Sequence, residues 1–73
     1  MRTRKEENFK RLAENRTNKI IDMLHLLGNL SNTSNYSYSE EQVETIFSAI
    51  EQELEVQKSR FVTKQETKKK FRL

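Results

Sequence analysis

Apolar residues in the first half of the chain fall at Phe9, Leu12, Ala13, Ile20, Met23, Leu24 and Leu27. At 100° per residue these positions share one face about 120° wide, the periodicity of an amphipathic helix. Thr3-Arg4-Lys5-Glu6 marks its start as a capping box: the Thr3 hydroxyl serves free backbone N–H groups and the Glu6 side chain reaches back. Gly28, the only glycine, follows Leu27 directly. It stands where a helix commonly ends on a residue in the left-handed conformation. The pattern predicts a first helix over residues 4–27.

A second stripe runs through Val43, Ile46, Phe47, Ile50, Leu54 and Phe61, again at three- and four-residue spacing. Ser39-Glu40-Glu41-Gln42 reads as another capping box, with Tyr38 placed to pack on Val43 as a hydrophobic staple. Glu40 and Glu41 suit the positive end of the helix dipole. These signals predict a second helix over residues 40–62. With no proline and no strand-like alternation, strands are not expected.

Between the stripes lies GNLSNTSNYSYS, residues 28–39, rich in the Asn and Ser that favour turns by bonding to nearby backbone. It is long for a helix–helix connection, for which about 2–8 residues is usual. Leu30, Tyr36 and Tyr38 are expected to pin it across the end of the hairpin. Beyond Phe61 no stripe continues, so residues 63–73 read as a frayed extension of the helix or a flexible basic tail. The expected architecture is all-α: an antiparallel helical hairpin in residues 1–62 followed by that tail.

The run Leu27-Gly28-Asn29-Leu30-Ser31-Asn32, followed by Ser34-Asn35-Tyr36, Tyr38, Val43 and Ile46-Phe47, resembles a pattern in small proteins of Gram-positive phages, plasmids and integrative elements. The resemblance covers roughly residues 12–61 and leaves out both terminal charge blocks. No activity is assigned to that family. What the resemblance implies is an origin in a mobile element.

Composition adds a constraint. A chain of 73 residues holds one small domain, and at this size only about 60% of the unfolded surface is buried on folding. Small domains compensate with disulfides, metals or a partner chain. There is no Cys, and one His, His25, makes no structural zinc site. Self-association is therefore expected, most simply as a homodimer forming a four-helix bundle. No apolar run exceeds two residues, so no membrane span is expected. Nor is there an apolar segment of the secretory-signal type, and the default location is cytoplasmic.

Charge then points to a partner. Residues 1–19 carry Arg2, Arg4, Lys5, Lys10, Arg11, Arg16 and Lys19 against three Glu; residues 20–57 contain seven acids and no Lys or Arg. Residues 58–73 carry Lys58, Arg60, Lys64, Lys68, Lys69, Lys70 and Arg72 against Glu66 alone. An antiparallel hairpin would bring the two basic blocks to one pole, where Lys and Arg can neutralise phosphates of DNA or RNA and release counterions. The bland reading is that these are solubilising charges. Glu6, Glu7 and Glu14 among the cations of the first helix, and a connection too long for a helix-turn-helix, argue against a sequence-specific DNA reader.

Three other features stand out along the chain. Arg16 falls within the apolar face of the first helix, and Glu51 and Glu53 flank the second stripe as partners for a structural ion pair. Gln57 is a further polar intrusion on that stripe. The alternative use of Arg16 is a polar contact kept for a partner helix. In the loop, Asn29, Asn32, Asn35, Tyr36 and Tyr38 form a candidate partner-binding set, for a protein rather than for an unpaired base. His25 lies away from the apolar face. With one Asp, one His, one Gly and no Cys, the chain offers no positioned catalytic pair. It reads as a non-enzyme without metal or cofactor, either a nucleic-acid-associated accessory protein or a protein-interaction adaptor.

Overall fold

The computed structural model describes the backbone of residues 3–70 and the side chains of residues 3–62. The chain is all-helical: α1 spans Arg4–Gly28, a 3-10 turn spans Asn29–Ser31, and α2 spans Glu40–Lys70. No strand occurs among the described residues. It divides into two units, Met1–Ser37 and Tyr38–Leu73, each built around one helix.

Both helix starts follow their sequence signals. At α1, the Glu6 N–H donates to Thr3 Oγ1 at 3.1 Å and the Thr3 N–H donates to Glu6 Oε1 at 2.8 Å. At α2, the Gln42 N–H donates to Ser39 Oγ at 3.1 Å and the Ser39 N–H to Gln42 Oε1 at 2.9 Å. Each reciprocal pair satisfies a donor that the helix itself leaves free. Glu6 and Glu7, and Glu40 and Glu41, occupy the two first turns, where the helix dipole favours negative charge.

The end of α1 corrects the expectation for Gly28. Its φ of −63° and ψ of −27° are right-handed helical, not left-handed. The helix runs through Gly28: the Asn29 N–H donates to the His25 carbonyl. The chain then tightens into the 3-10 turn, and Asn32, at φ −68° and ψ 102°, is where it leaves helical geometry. Glycine permits the left-handed conformation but does not impose it. A Cβ added at Gly28 would meet nothing within 4 Å. Gly28→Ala is therefore expected to stabilise the chain, by about 0.5–1 kcal/mol, through lost freedom of the unfolded state. Urea unfolding followed by circular dichroism checks this; a destabilised Ala variant would mean that Gly28 is left-handed in solution.

Helix α2 also differs from expectation. It continues to Lys70, past residue 62, where the sequence reading ended the helix and left a frayed extension or a flexible tail. A helix does not need an apolar stripe to continue. Residues 63–70 contain neither Gly nor Pro and are mostly Lys, Gln and Glu, which are good helix formers. Lysines at 68, 69 and 70 stand at the negative end of the dipole. Residues 71–73 lie outside the described residues.

Among the described residues none is buried. Leu12, Ala13, Leu27, Val43 and Ile50, all stripe positions, are half-buried, while Phe9 remains 61% exposed and Phe61 64%. Each helix, taken by itself, presents its apolar stripe to solvent. On α1 the stripe steps through Phe9, Ala13, Arg16, Ile20, Met23 and Leu27; on α2 it steps through Val43, Phe47, Ile50, Leu54, Gln57 and Phe61. Both alternate strictly between four and three residues. That 3.5-residue period is the seam of a left-handed coiled coil.

Candidate nucleic-acid interface

The helical period decides which cations share a surface. On α1, Arg4 and Arg11 lie seven residues apart and so occupy one face, about 10 Å apart along the axis. Lys5 lies toward the apolar stripe, and Lys10 about 100° around from Arg11. All four side chains are exposed. Glu6 stands four residues before Lys10, and Glu7 four before Arg11, the spacing and order that favour pairing along a helix. Arg11 also donates from its guanidinium to Asn8 Oδ1 at 3.4 Å. The positive charge of α1 is thus offset by carboxylates on the same helix.

The cations of α2 are less compensated. From Lys58 to Lys70 there are six against Glu66 alone. Lys58 and Arg60 are exposed and project about 160° apart around the helix axis, so they do not form one stripe. Arg60 is already engaged, donating to Gln57 Oε1 at 2.8 Å. The side chains of Lys64, Lys68, Lys69 and Lys70, and all of Arg2 and Arg72, lie outside the described residues.

The polar intrusions on the stripes resolve in part. Gln57 donates from Nε2 to Glu53 Oε2 at 2.7 Å and accepts from Arg60, so Glu53, Gln57 and Arg60 form a polar ladder along α2. The i, i+3 and i, i+4 spacing of these residues was the signal for this ladder, and the sequence reading missed it. Arg16 is exposed on α1, and Glu51 is exposed on α2.

In the connecting segment the structure singles out Asn32. Its Oδ1 accepts from the Ser34 N–H at 2.9 Å, and its carbonyl accepts from the N–H groups of Asn35 at 3.2 Å and Tyr36 at 3.0 Å. The Asn29 carbonyl in turn accepts from the Asn32 N–H at 3.4 Å. These bonds make Asn32 the centre of a turn, with its side-chain oxygen occupied. Tyr36 and Tyr38 are about half exposed, at 49% and 45%. His25, in the last full turn of α1, is exposed beside a shallow open depression lined by Ile21, Leu24, Gly28 and Asn29. Among the described residues, no three His, Asp or Glu side chains gather as metal ligands would, and no helix is long and apolar enough to cross a membrane.

No protein family, curated protein or solved structure matches this chain.

Proposed function

We propose that this chain is a small, non-catalytic accessory or regulatory protein of a mobile genetic element that binds DNA or RNA through phosphate contacts. The observation that carries the reading is the polarity of charge on α2. Residues 40–57 hold six Glu and no cation, and residues 58–70 hold six cations and one Glu. In the same reading, α1 and α2 fold back as an antiparallel hairpin. Arg2, Arg4, Lys5, Lys10 and Arg11 then join the basic end of α2, and two hairpins pair as a four-helix homodimer in the cytoplasm. The acidic half of α2 stays away from the phosphates and keeps the approach one-ended.

Fluorescence anisotropy with labelled random-sequence duplex and single strands tests this. Binding is expected at micromolar protein and low salt, with log affinity falling linearly in log salt. Absence of binding at low salt would remove the proposal. The exposed coiled-coil seams support a second reading, an adaptor that docks its apolar face on a protein partner. Such an interface keeps its affinity as salt rises, because the hydrophobic effect is not screened.

A further inference from the structure

We infer that the apolar stripe of α2 is covered by α2 of a second copy of this chain, running antiparallel; this rests on the homodimer of the proposed function and names the helix that forms it. The stripe is open: Phe47 is 41% exposed, Leu54 55% and Phe61 64%. Its alternating spacing of four and three residues suits a second helix as its cover. Charge selects which helix and which direction. Residues 40–46 of α2 hold three Glu and no cation, and residues 58–64 hold three cations and no acid. A parallel copy would set acids beside acids and cations beside cations along the helix. An antiparallel copy sets the acidic start of each helix beside the basic stretch of the other, and it also opposes the two helix dipoles. On α1, by contrast, acids and cations are interspersed from Arg4 to Lys19, so charge favours neither direction there.

The stripe then fixes the register. With Phe47, Leu54 and Phe61 as heptad positions a, and Val43, Ile50 and Gln57 as d, antiparallel packing sets a against d. One register gives every stripe residue a counterpart: Val43 with the copy's Phe61, Phe47 with the copy's Gln57, and Ile50 with the copy's Leu54. Its two-fold axis lies level with Gln52, and it lays residues 40–46 beside the copy's 58–64. A heptad shift one way leaves Phe61 beyond the copy's stripe, and the other way leaves Val43. Gln57 reaches its layer with the amide bonded along its own helix, donating to Glu53 at 2.7 Å and accepting from Arg60 at 2.8 Å, so it depends on no bond across the interface. At the rim the flanking e positions oppose each other, Glu44 to the copy's Lys58, twice by symmetry. Both are exposed and available for it. The cost falls at the axis, where Glu51 and Glu53 each approach their own copy.

Sedimentation equilibrium of the full chain tests this. A monomer–dimer equilibrium in the micromolar range is expected; a chain that stays monomeric at its highest soluble concentration, or forms larger assemblies, overturns the inference. Leu54→Asp should abolish the dimer and Val56→Asp should leave it, because the two are exposed alike, at 55% and 51%, and only Leu54 lies on the stripe. Equal loss or equal retention overturns the inference. Direction is read from charge, at exposed positions where the fold is not at stake. Glu44→Lys and Lys58→Glu should each raise the dimer dissociation constant about tenfold, since symmetry turns two attractions into two repulsions. The double variant should restore it, because the exchanged charges meet again across an antiparallel interface but not across a parallel one. No recovery overturns the antiparallel arrangement. Glu51→Gln should tighten the dimer by relieving the repulsion at the axis; a weaker or unchanged dimer counts against the register. Polyanion affinity of the same variants is measured alongside. A monomer that binds polyanion leaves the binding function standing, and a dimer that does not bind removes only that function.

Discussion

Replacing Lys64, Lys68, Lys69 and Lys70 together by Gln will flatten the salt dependence of polyanion binding more than any comparable change in α1. Each phosphate neutralised contributes about 0.9 to the slope of log affinity against log salt on duplex DNA, so four contacts account for a slope change of about 3 to 4. The backbone of these residues is helical, and Gln sustains a helix nearly as well as Lys, so the variant isolates charge from fold. The corresponding change in α1, Lys10 and Arg11 to Gln, should shift the slope far less, because Glu6 and Glu7 stand at pairing distance in sequence from those two cations. Anisotropy titrations at four or five salt concentrations give both slopes. Equal slopes for the wild type and the fourfold variant would place the phosphate contacts elsewhere.

Ile20→Asp will abolish most of the helical circular dichroism signal at 25 °C, whereas Ile21→Asp will leave it close to wild type. The two residues are neighbours with similar exposure, 55% and 45%, and the substitution carries the same propensity cost at both. They differ in face. Ile20 lies on the seam, and Ile21 lies about 100° around the helix from it. Most helix stability in proteins comes from packing an amphipathic face rather than from propensity. In the proposed hairpin, a carboxylate forced into that packing without a partner would cost several kcal/mol, comparable to the whole stability of so small a domain. Matched losses at both positions would show that the helices hold by local propensity alone and that the seam has no occupant.

Features legible in the sequence were those settled within one turn of chain. Thr3 with Glu6, and Ser39 with Gln42, announce their caps because the partners are three residues apart and chemically complementary. The end of α1 was read to within one residue, but by the wrong conformation. Gly28 is able to turn left-handed, yet it closes α1 in right-handed geometry, and the chain leaves helical geometry at Asn32, after the 3-10 turn, without any positive φ among the described residues. The end of α2 was misplaced because the reading stopped where apolar residues stop, while propensity and the dipole carry the backbone on to Lys70. For the candidate site, charge blocks were plain from composition, but their surfaces were not: the 3.6-residue period parts Lys58 from Arg60, and Gln57 takes up the latter.

The turn on Asn32 also bears on how fast this chain reaches its shape. The bonds that form it, like both capping boxes, join residues no more than four apart. Structure of such short reach needs no search through distant contacts, and helix–coil relaxation takes about 0.1–1 μs. Both helices and the turn on Asn32 can therefore form and melt on this timescale, each by itself. Temperature-jump relaxation of the wild type should show a phase in this microsecond range; relaxation that is uniformly slower would mean that the helices do not form by local contacts alone.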